Sequence, residues 1–225
     1  MINLRKLRPW NLTSPEYSHL LLALFWVLHG LVFSTLETFV KVENCHVMWC
    51  PLDDRIPFNE WFFIPYMFWF VFVVGMNIYL ALCDPRAFRR FMYFIMVTST
   101  VTLVTYMVYP TCQNLRPESF ERDNFMTRFA ASFYAFDTNT NVCPSLHVIN
   151  SFAVTFGAWD TKRFKTPFWR VSFFLMAVLI SVSTLFVKQH SFVDVAAALV
   201  VTVLGYLAVY VIPDAVRKRK AKKAE

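Results

Sequence analysis

Long apolar stretches dominate this chain and limit what it can fold into. A helix needs about 20 consecutive apolar residues to cross the hydrocarbon core of a bilayer. The composition, 57% hydrophobic and 16% charged, is too apolar for a soluble domain of 225 residues. The sequence therefore predicts an all-α polytopic membrane protein with six transmembrane helices. The predicted spans, of which the fourth is the shortest and needs a short extension at its ends, are residues 19–36, 62–82, 91–109, 146–159, 168–187 and 192–212.

The distribution of positive charge predicts how these helices are oriented. Of the 22 Lys and Arg residues, 16 fall on one predicted side, in the N-terminal segment, the second and fourth connections and the tail. Because cytoplasmic loops carry the excess of Lys and Arg, both termini are predicted to be cytoplasmic. We interpret the net charge of +7 as a sign of this orientation and of affinity for anionic membrane lipids, with no nucleic-acid partner.

The resulting organisation is a single membrane domain over residues 1–225. It comprises a cytoplasmic N-terminal segment over about 1–18, a six-helix catalytic bundle over 19–212 and a basic cytoplasmic tail over 213–225. Phenylalanines recur at helical spacing within the third connection, from Phe125 to Phe136. This spacing predicts a short amphipathic helix lying in the membrane interface.

The first outer connection carries cysteines and acidic residues. Asp53 and Asp54 are expected to form a solvated turn, and the alternative is a role at the site. Disulfides can persist on this side of the membrane, so bonds between Cys45 and Cys50 or between Cys112 and Cys143 are open, as is the alternative of unpaired buried cysteines. No group of residues has the spacing of a metal site.

Two short polar segments, residues 143–147 and 188–194, lie where an apolar helix meets water on the predicted outer side. A histidine such as His190 can take a phosphoryl group in line, and a second one, His147, can protonate the leaving oxygen. Asp194 stands four residues after His190, at a spacing that lets its carboxylate orient the imidazole. The alternative is that His190 and Asp194 merely cap a helix.

With Arg116-Pro117 upstream, these residues resemble the type 2 phosphatidic acid phosphatase superfamily of membrane lipid phosphatases. The motifs of that family read K-x6-R-P, P-S-G-H and S-R-x5-H-x3-D. In this chain they correspond to Arg116-Pro117, to Pro144-Ser145-Leu146-His147, and to Ser183 with His190 and Asp194. The resemblance covers residues 109–194 and implies a lipid phosphate substrate, a phosphohistidine intermediate, and catalysis without metal or cofactor.

The resemblance also implies which residues hold the phosphate, and the departures from it matter. Arg116, the Ser145 hydroxyl and the backbone N–H groups around Leu146 are the expected ligands, the latter at a helix N-terminus that favours anions. Tyr109 stands in place of the first Lys of the family pattern, and Thr184 in place of the Arg. We therefore expect Lys188 to supply replacement charge. Arg122 and Arg128 are lesser candidates.

Three functions remain open at this point. The leading one is a lipid phosphatase that cleaves a phosphate monoester or a polyprenyl diphosphate at the outer leaflet, in a bacterial plasma membrane. The second is a headgroup phosphotransferase, because the Pro-Ser-Leu-His form resembles the branch that contains inositol phosphorylceramide synthases. The third is a non-enzymatic transporter or membrane protein with a decayed motif. His29, in the middle of the first span, is expected to be a packed, hydrogen-bonded residue.

Overall fold

The computed structural model describes Ile2 and residues Leu4 to Ala224, and most of them are helical. Two short strands, β1 (His46–Val47) and β2 (Thr111–Cys112), pair in parallel. The α-helices are α1 (Leu24–Phe39), α2 (Pro51–Arg55), α3 (Phe63–Cys83), α4 (Pro85–Val108), α5 (Phe125–Phe136), α6 (Leu146–Asp160), α7 (Pro167–Phe186), α8 (Phe192–Tyr206) and α9 (Ile212–Ala224).

Five helical segments of the described chain are long and apolar enough to cross a membrane, which is consistent with a multi-pass integral membrane protein. They are Ser18–Phe39, Glu60–Cys83, Pro85–Val108, Pro167–Phe186 and Phe192–Lys223. The fourth predicted span is α6, which has only 15 residues. At 1.5 Å per residue it is about 22 Å long, less than the hydrocarbon core of roughly 30 Å. The structure therefore supplies five of the six predicted spans by length.

The shortness of α6 is explained by its position at the centre of the bundle. It packs against α3, α4, α7 and α8. Most of its residues are buried against these helices, so few of its side chains meet lipid. Gly157 allows the close approach, because a Cβ atom there would lie 2.9 Å from the side chain of Leu80 and 3.0 Å from that of Phe91. A central helix wrapped by protein does not need to match the bilayer thickness by itself.

Ion pairs join three helix ends at one end of the bundle. The guanidinium of Arg90 on α4 lies 2.9 Å from the carboxylate of Asp160 at the end of α6, and 3.1 Å from that of Asp214 on α9. The Arg90 side chain is only 15% exposed, so these pairs are shielded from solvent more than ordinary surface pairs are. The strands, α2 and α5 belong to the connections at the opposite end.

The amphipathic helix predicted in the third connection is present as α5. Asn124 caps it by accepting a hydrogen bond from the N–H of Thr127 at 3.0 Å. Phe129 and Phe133 pack edge-on against Phe63 of α3, with ring centroids 5.6 Å apart in both cases. Its location in the membrane interface stays a prediction.

The cysteines follow neither pairing that the sequence left open. All five are free thiols. The pairing of β1 with β2 brings the thiol of Cys45 into hydrogen-bonding contact with that of Cys112 instead.

Candidate active site

A cavity of about 300 Å³ opens at the end of the bundle that carries the strands. Its walls come from α1, α3, α4, α5 and α6 and from the two connections that precede α6 and α8. Both His147 and His190 line it. The two histidines that the sequence singled out, 43 positions apart in the chain, therefore face one space, with ring centroids 5.9 Å apart.

His29, in the middle of the first predicted span, also lines this cavity. Its ring is packed against Phe25, Trp26 and Phe33, as expected. The expectation that His29 is hydrogen-bonded is wrong for Nδ1, which is buried without a partner among the described residues.

His190 is held from one side by Asp194. The Asp194 Oδ2 atom lies 3.3 Å from the Nδ1 atom of His190 and accepts a hydrogen bond from the backbone N–H of Ser191 at 2.9 Å. The Asp194 side chain is fully buried. An ionised carboxylate can only accept, so this contact favours a proton on Nδ1 and leaves Nε2 with its lone pair free. That is the arrangement a nucleophilic imidazole requires.

His147 stands in the first turn of α6 and is fixed by aromatic contacts. Its ring lies 4.5 Å from the ring of Tyr66 and 4.4 Å from that of Trp69. Within the part of the chain that the structure describes, the Nε2 atom of His147 is buried and has no hydrogen-bond partner. This nitrogen is available to a substrate oxygen.

The solvated turn expected for Asp53 is wrong, because its carboxylate is buried against the residues that follow His190. Asp53 is 2% exposed. It accepts hydrogen bonds from the hydroxyl of Ser191 at 2.6 Å and from the backbone N–H of Phe192 at 2.8 Å. An acidic group at a helix N-terminus satisfies free N–H groups and complements the helix dipole, so Asp53 caps α8 from a distant segment. Asp54 is exposed, as expected.

Lys188 also links the turn before α8 to the segment that carries Asp53. Its ammonium donates hydrogen bonds to the carbonyl oxygens of Asp53, at 2.7 Å, and of Ile56. Its backbone adopts the left-handed conformation, with φ at 51°, in the turn between α7 and α8. Burial lowers the pKa of the ammonium. In this arrangement Lys188 does not line the cavity of the two histidines, and direct phosphate binding by Lys188 stays a prediction.

Arg116 reaches the cavity only through other residues. It donates hydrogen bonds to Oε1 of Gln189 at 2.7 Å and to the Asp137 carboxylate at 3.3 Å, and its guanidinium lies over the ring of Tyr134. Burial lowers the pKa of the guanidinium, while Asp137 opposes that shift. Arg116 therefore positions Gln189, the residue immediately before His190.

The phosphate ligands expected in the Pro-Ser-Leu-His segment differ in whether they are free and whether they line the cavity. The backbone N–H of Ser145 donates to the carbonyl oxygen of Asp194 at 3.3 Å, so it is not free to bind phosphate. Its hydroxyl is buried without a partner among the described residues. Leu146 and His147 line the cavity from the first turn of α6, where backbone N–H groups lack a helical acceptor.

The outer rim of the cavity is acidic. Glu37 accepts a hydrogen bond from the side-chain amide of Asn141 at 2.7 Å. Asp137 lines the same rim, and burial raises its pKa to about 6. Of the described residues that line this cavity, none is Lys or Arg. Arg122 and Arg128, the lesser candidates, pair with Glu60 and Asp123 instead. Among the described residues, the groups of this cavity that favour an anion are therefore its histidines and the N-terminus of α6.

A family model described as the PAP2 superfamily matches residues 33–208, more than three quarters of the chain. The chain belongs to the PAP2 superfamily. The resemblance drawn from the three motifs is thereby confirmed. No curated protein and no solved structure matches the chain. Membership of the PAP2 superfamily supports a phosphatase-type function on lipid phosphates in general terms.

Several residues around this candidate site were not selected from the sequence, although a role at the site was the alternative for Asp53. Asp53 accepts a hydrogen bond from the turn after His190. Gln189 lines the wall of the cavity, and Glu37 lies at its rim. Asn150 lines the cavity one turn after His147. A usable signal existed only for Asn150, because a polar residue three positions after His147 on a predicted apolar helix shares its face.

Proposed function

We propose that this protein is a membrane lipid phosphatase that hydrolyses a lipid phosphate monoester or a polyprenyl diphosphate at the outer leaflet. The observation that carries the proposal is the facing pair of histidines, 5.9 Å apart between ring centroids, one of them hydrogen-bonded to a buried carboxylate. Two imidazoles in one cavity match the needs of a displacement at phosphorus, one as nucleophile and one as acid.

The reaction proceeds in two displacements at phosphorus. In the first, Nε2 of His190 attacks, an N–P bond forms, and the P–O bond to the lipid breaks while His147 gives its proton to the leaving oxygen. In the second, His147 takes a proton from water, the water oxygen attacks phosphorus, and the N–P bond breaks. Phosphate leaves and both imidazoles return to their starting states. Asp194 stabilises the positive charge on His190 during both steps.

The phosphate oxygens are bound at the N-terminus of α6. Leu146 and His147 offer free N–H groups there, where the helix dipole favours an anion. We assign supporting roles to Arg116, Ser145 and Lys188, none of which lines the cavity. No step requires a metal ion or a cofactor.

The proposed topology puts this reaction outside the cytoplasm. Six segments cross the membrane, with α6 as the central one, α5 lies in the interface, and both termini are cytoplasmic. The pairing of Arg90 with Asp160 and Asp214 supports a common side for three of the helix ends. The basic segments near these ends are those that the positive-inside rule assigns to the cytoplasm.

Transfer to an alcohol acceptor is the second candidate, and the acidic rim favours it. Glu37 and Asp137 present carboxylate oxygens to the cavity, and such oxygens accept hydrogen bonds from hydroxyl groups. An alcohol held there would replace water in the second displacement and take the phosphoryl group from His190.

The test is phosphate release by the purified protein from a panel of lipid phosphates, with a chelator present throughout. We expect release that vanadate inhibits. We expect His190→Ala and His147→Ala each to lower turnover by about 10² or more while the protein stays folded. His46→Ala is the matched control, because His46 is exposed in an outer connection and its ring stacks on that of Tyr109, away from the cavity.

The same assay separates the candidates. Adding diacylglycerol, ceramide or inositol should leave free phosphate as the main product, whereas a phosphorylated acceptor would favour transfer. A folded protein that acts on no member of the panel would support the non-enzymatic reading. A strict magnesium requirement would contradict the metal-independent mechanism.

A further inference from the structure

A second pocket, open and of about 560 Å³, lies at the end of the bundle away from the two histidines. It is formed by the first turns of α4 on one side and by the join between α8 and α9 on the other. Among the described residues that line it, four are arginines, Arg86, Arg89, Arg90 and Arg217, and Asp214 is the one acid. Its charge is therefore opposite to that of the rim around the histidines.

The wall on the side of α8 is held in shape by Arg90. A π-helical turn, Leu207–Val211, joins α8 to α9, and Pro213 follows it. Proline has no backbone N–H and cannot continue the regular helical hydrogen bonds. Arg90 donates to the carbonyl oxygen of Tyr210 in this turn at 3.1 Å, and its guanidinium lies 4.6 Å from the centroid of the same ring. This side of the pocket is thus fixed by contacts within the protein.

The other three arginines are less fully engaged. Arg86 and Arg217 are exposed, and they lie 3.9 and 3.3 Å from carboxylates that already pair with Arg90. Arg89 pairs with no carboxylate of the described residues and donates to neutral oxygen atoms in the segment before α1, at 3.3 and 3.5 Å. Four guanidinium groups therefore share two carboxylates, which leaves positive charge for an external anion.

The surface of α4 next to the pocket changes from charged to apolar along the helix. Tyr93 lines the pocket one turn after Arg89, and the exposed Val97, Val101 and Val104 continue the same side of the helix. Tyrosine is enriched at the level of lipid headgroups, and aliphatic side chains face the hydrocarbon. Guanidinium, phenol and aliphatic groups follow one another in the order of phosphate, glycerol and acyl chain in a phospholipid.

We propose that this pocket binds the headgroup phosphate of an anionic phospholipid, in the leaflet opposite the histidine cavity, with Arg86, Arg89 and Arg217 as its ligands. The planar guanidinium group binds phosphate oxygens through paired N–H groups. Basic pockets between membrane helices are suited to anionic headgroups, whereas a choline headgroup would bring a second cation to the arginines. Because the ligands come from α4 and α9, one lipid joins two helices. The site is separate from the proposed reaction and does not depend on it.

The experiment compares ligands that share a phosphate group. The melting temperature of the purified protein in detergent is measured with dioleoyl phosphatidylglycerol, with dioleoyl phosphatidylcholine and with sodium phosphate, at matched ionic strength. We expect a large excess of phosphatidylglycerol to raise the melting temperature by about 5 °C, because a ligand that binds only the folded protein stabilises it. Phosphatidylcholine and free phosphate should each raise it by less than about 1 °C. Native mass spectrometry of the same samples gives the lipid affinities.

Two triple variants test the location. In the first, Arg86→Gln, Arg89→Gln and Arg217→Gln are combined, and we expect the affinity for phosphatidylglycerol to fall about tenfold or more. The matched control replaces three other exposed cations of the same end, those at positions 162, 163 and 165 between α6 and α7, by Gln. It removes the same charge, lines no part of the pocket, and should keep the parent affinity. Arg89→Gln alone, which leaves every ion pair intact, should lower the affinity about threefold and serves if the triple variant does not fold.

The results that overturn the proposal are distinct. Equal losses in the two triple variants would show diffuse surface charge in place of a site. Equal stabilisation by the two lipids, or by free phosphate, would remove the anionic lipid as the ligand. An affinity that survives the arginine changes and is lost in His190→Ala would place the lipid in the histidine cavity. Retention of phosphatidylglycerol by the control together with its loss from the arginine variants supports the proposal, whether or not the protein releases phosphate from any lipid.

Discussion

The carboxylate of Asp53 accepts a hydrogen bond from the hydroxyl of Ser191 at 2.6 Å, across 138 positions of sequence. Ser191 directly follows His190, and its own backbone N–H donates to Asp194. The turn that presents the proposed nucleophile is therefore held by one carboxylate from its own helix and one from the first outer connection. Asp53 is a positioning residue that acts through this turn.

Replacement of Asp53 tests that role. Asp53→Ala removes the acceptor for three hydrogen bonds, those from Ser191, Phe192 and the backbone N–H of Cys50, and we expect the free energy of unfolding to fall by about 1–3 kcal/mol. Turnover should fall as well, because the turn that carries His190 is less well held. Thermal unfolding in detergent and phosphate release measure the two effects. Asp54→Ala should change neither, since Asp54 is exposed and its carboxylate bonds, among the described residues, only to the indole of Trp49. Equal effects of the two variants would remove Asp53 from this role.

Lys188 separates a positioning role from a direct one. Lys188→Met loses the hydrogen bonds to the carbonyls of Asp53 and Ile56, so we expect melting temperature and turnover to fall together. Lys188→Arg should recover part of both. If Lys188→Met lowers turnover about tenfold with unchanged melting, the ammonium binds phosphate directly, as its position in the sequence suggested.

Asp137 makes stability depend on pH. Because burial raises its pKa to about 6 in the folded protein, its ionisation opposes folding. The effect is absent below the pKa of the unfolded chain, near 4, and complete above about 6. Asp137→Asn should therefore raise the melting temperature relative to the parent protein more at pH 7.5 than at pH 4.5. The side chain is 39% exposed, so solvent reduces the size of this difference. A difference that shrinks as the pH rises would contradict the assignment.

Topology can be read from single cysteines placed at exposed positions, in a background without the native cysteines. Glu118→Cys, in the third connection, should react with a membrane-impermeant thiol reagent added outside the cell. Lys165→Cys, between α6 and α7, should react only after the membrane is opened. Both positions are exposed, so burial does not mask the result. The reverse pattern would put the site on the cytoplasmic leaflet.

Residue spacing predicted the local features of this protein well and its distant contacts poorly. The relation of His190 to Asp194 follows from a separation of four residues at a helix start, and α5 follows from the period of its phenylalanines. The bounds of α6 agree with the predicted residues 146–159 to within one residue, but the expected extension at its ends is absent, because its surroundings are protein rather than lipid. The burial of Asp53 did not follow from the sequence, since an acidic pair beside prolines looks the same whether it meets water or a helix N-terminus.

The same limit explains why the sequence selected Lys188 as a phosphate-binding cation. Lys188 was selected because it stands two residues before His190, but the left-handed turn directs its side chain toward Asp53. Sequence spacing gives no information on such a turn when the residue is not Gly or Asn. Gln189, between them, faces the cavity in its place.

The hydrogen bonds that hold the turn after His190 to Asp53 have a consequence for how the protein folds. All three motifs lie within residues 109–194. The turn that bears the proposed nucleophile is nevertheless held by a segment that leaves the ribosome well over a hundred residues earlier. Contacts of such long range close late, because loop entropy opposes them until much of the chain is in place. A piece of the chain that begins after α3 would contain all three motifs. It would nevertheless lack the hydrogen bond from Ser191 to Asp53 that holds the turn after His190. We therefore expect the turn after His190 to reach its final geometry late in folding, when the segment around Asp53 packs against the N-terminus of α8.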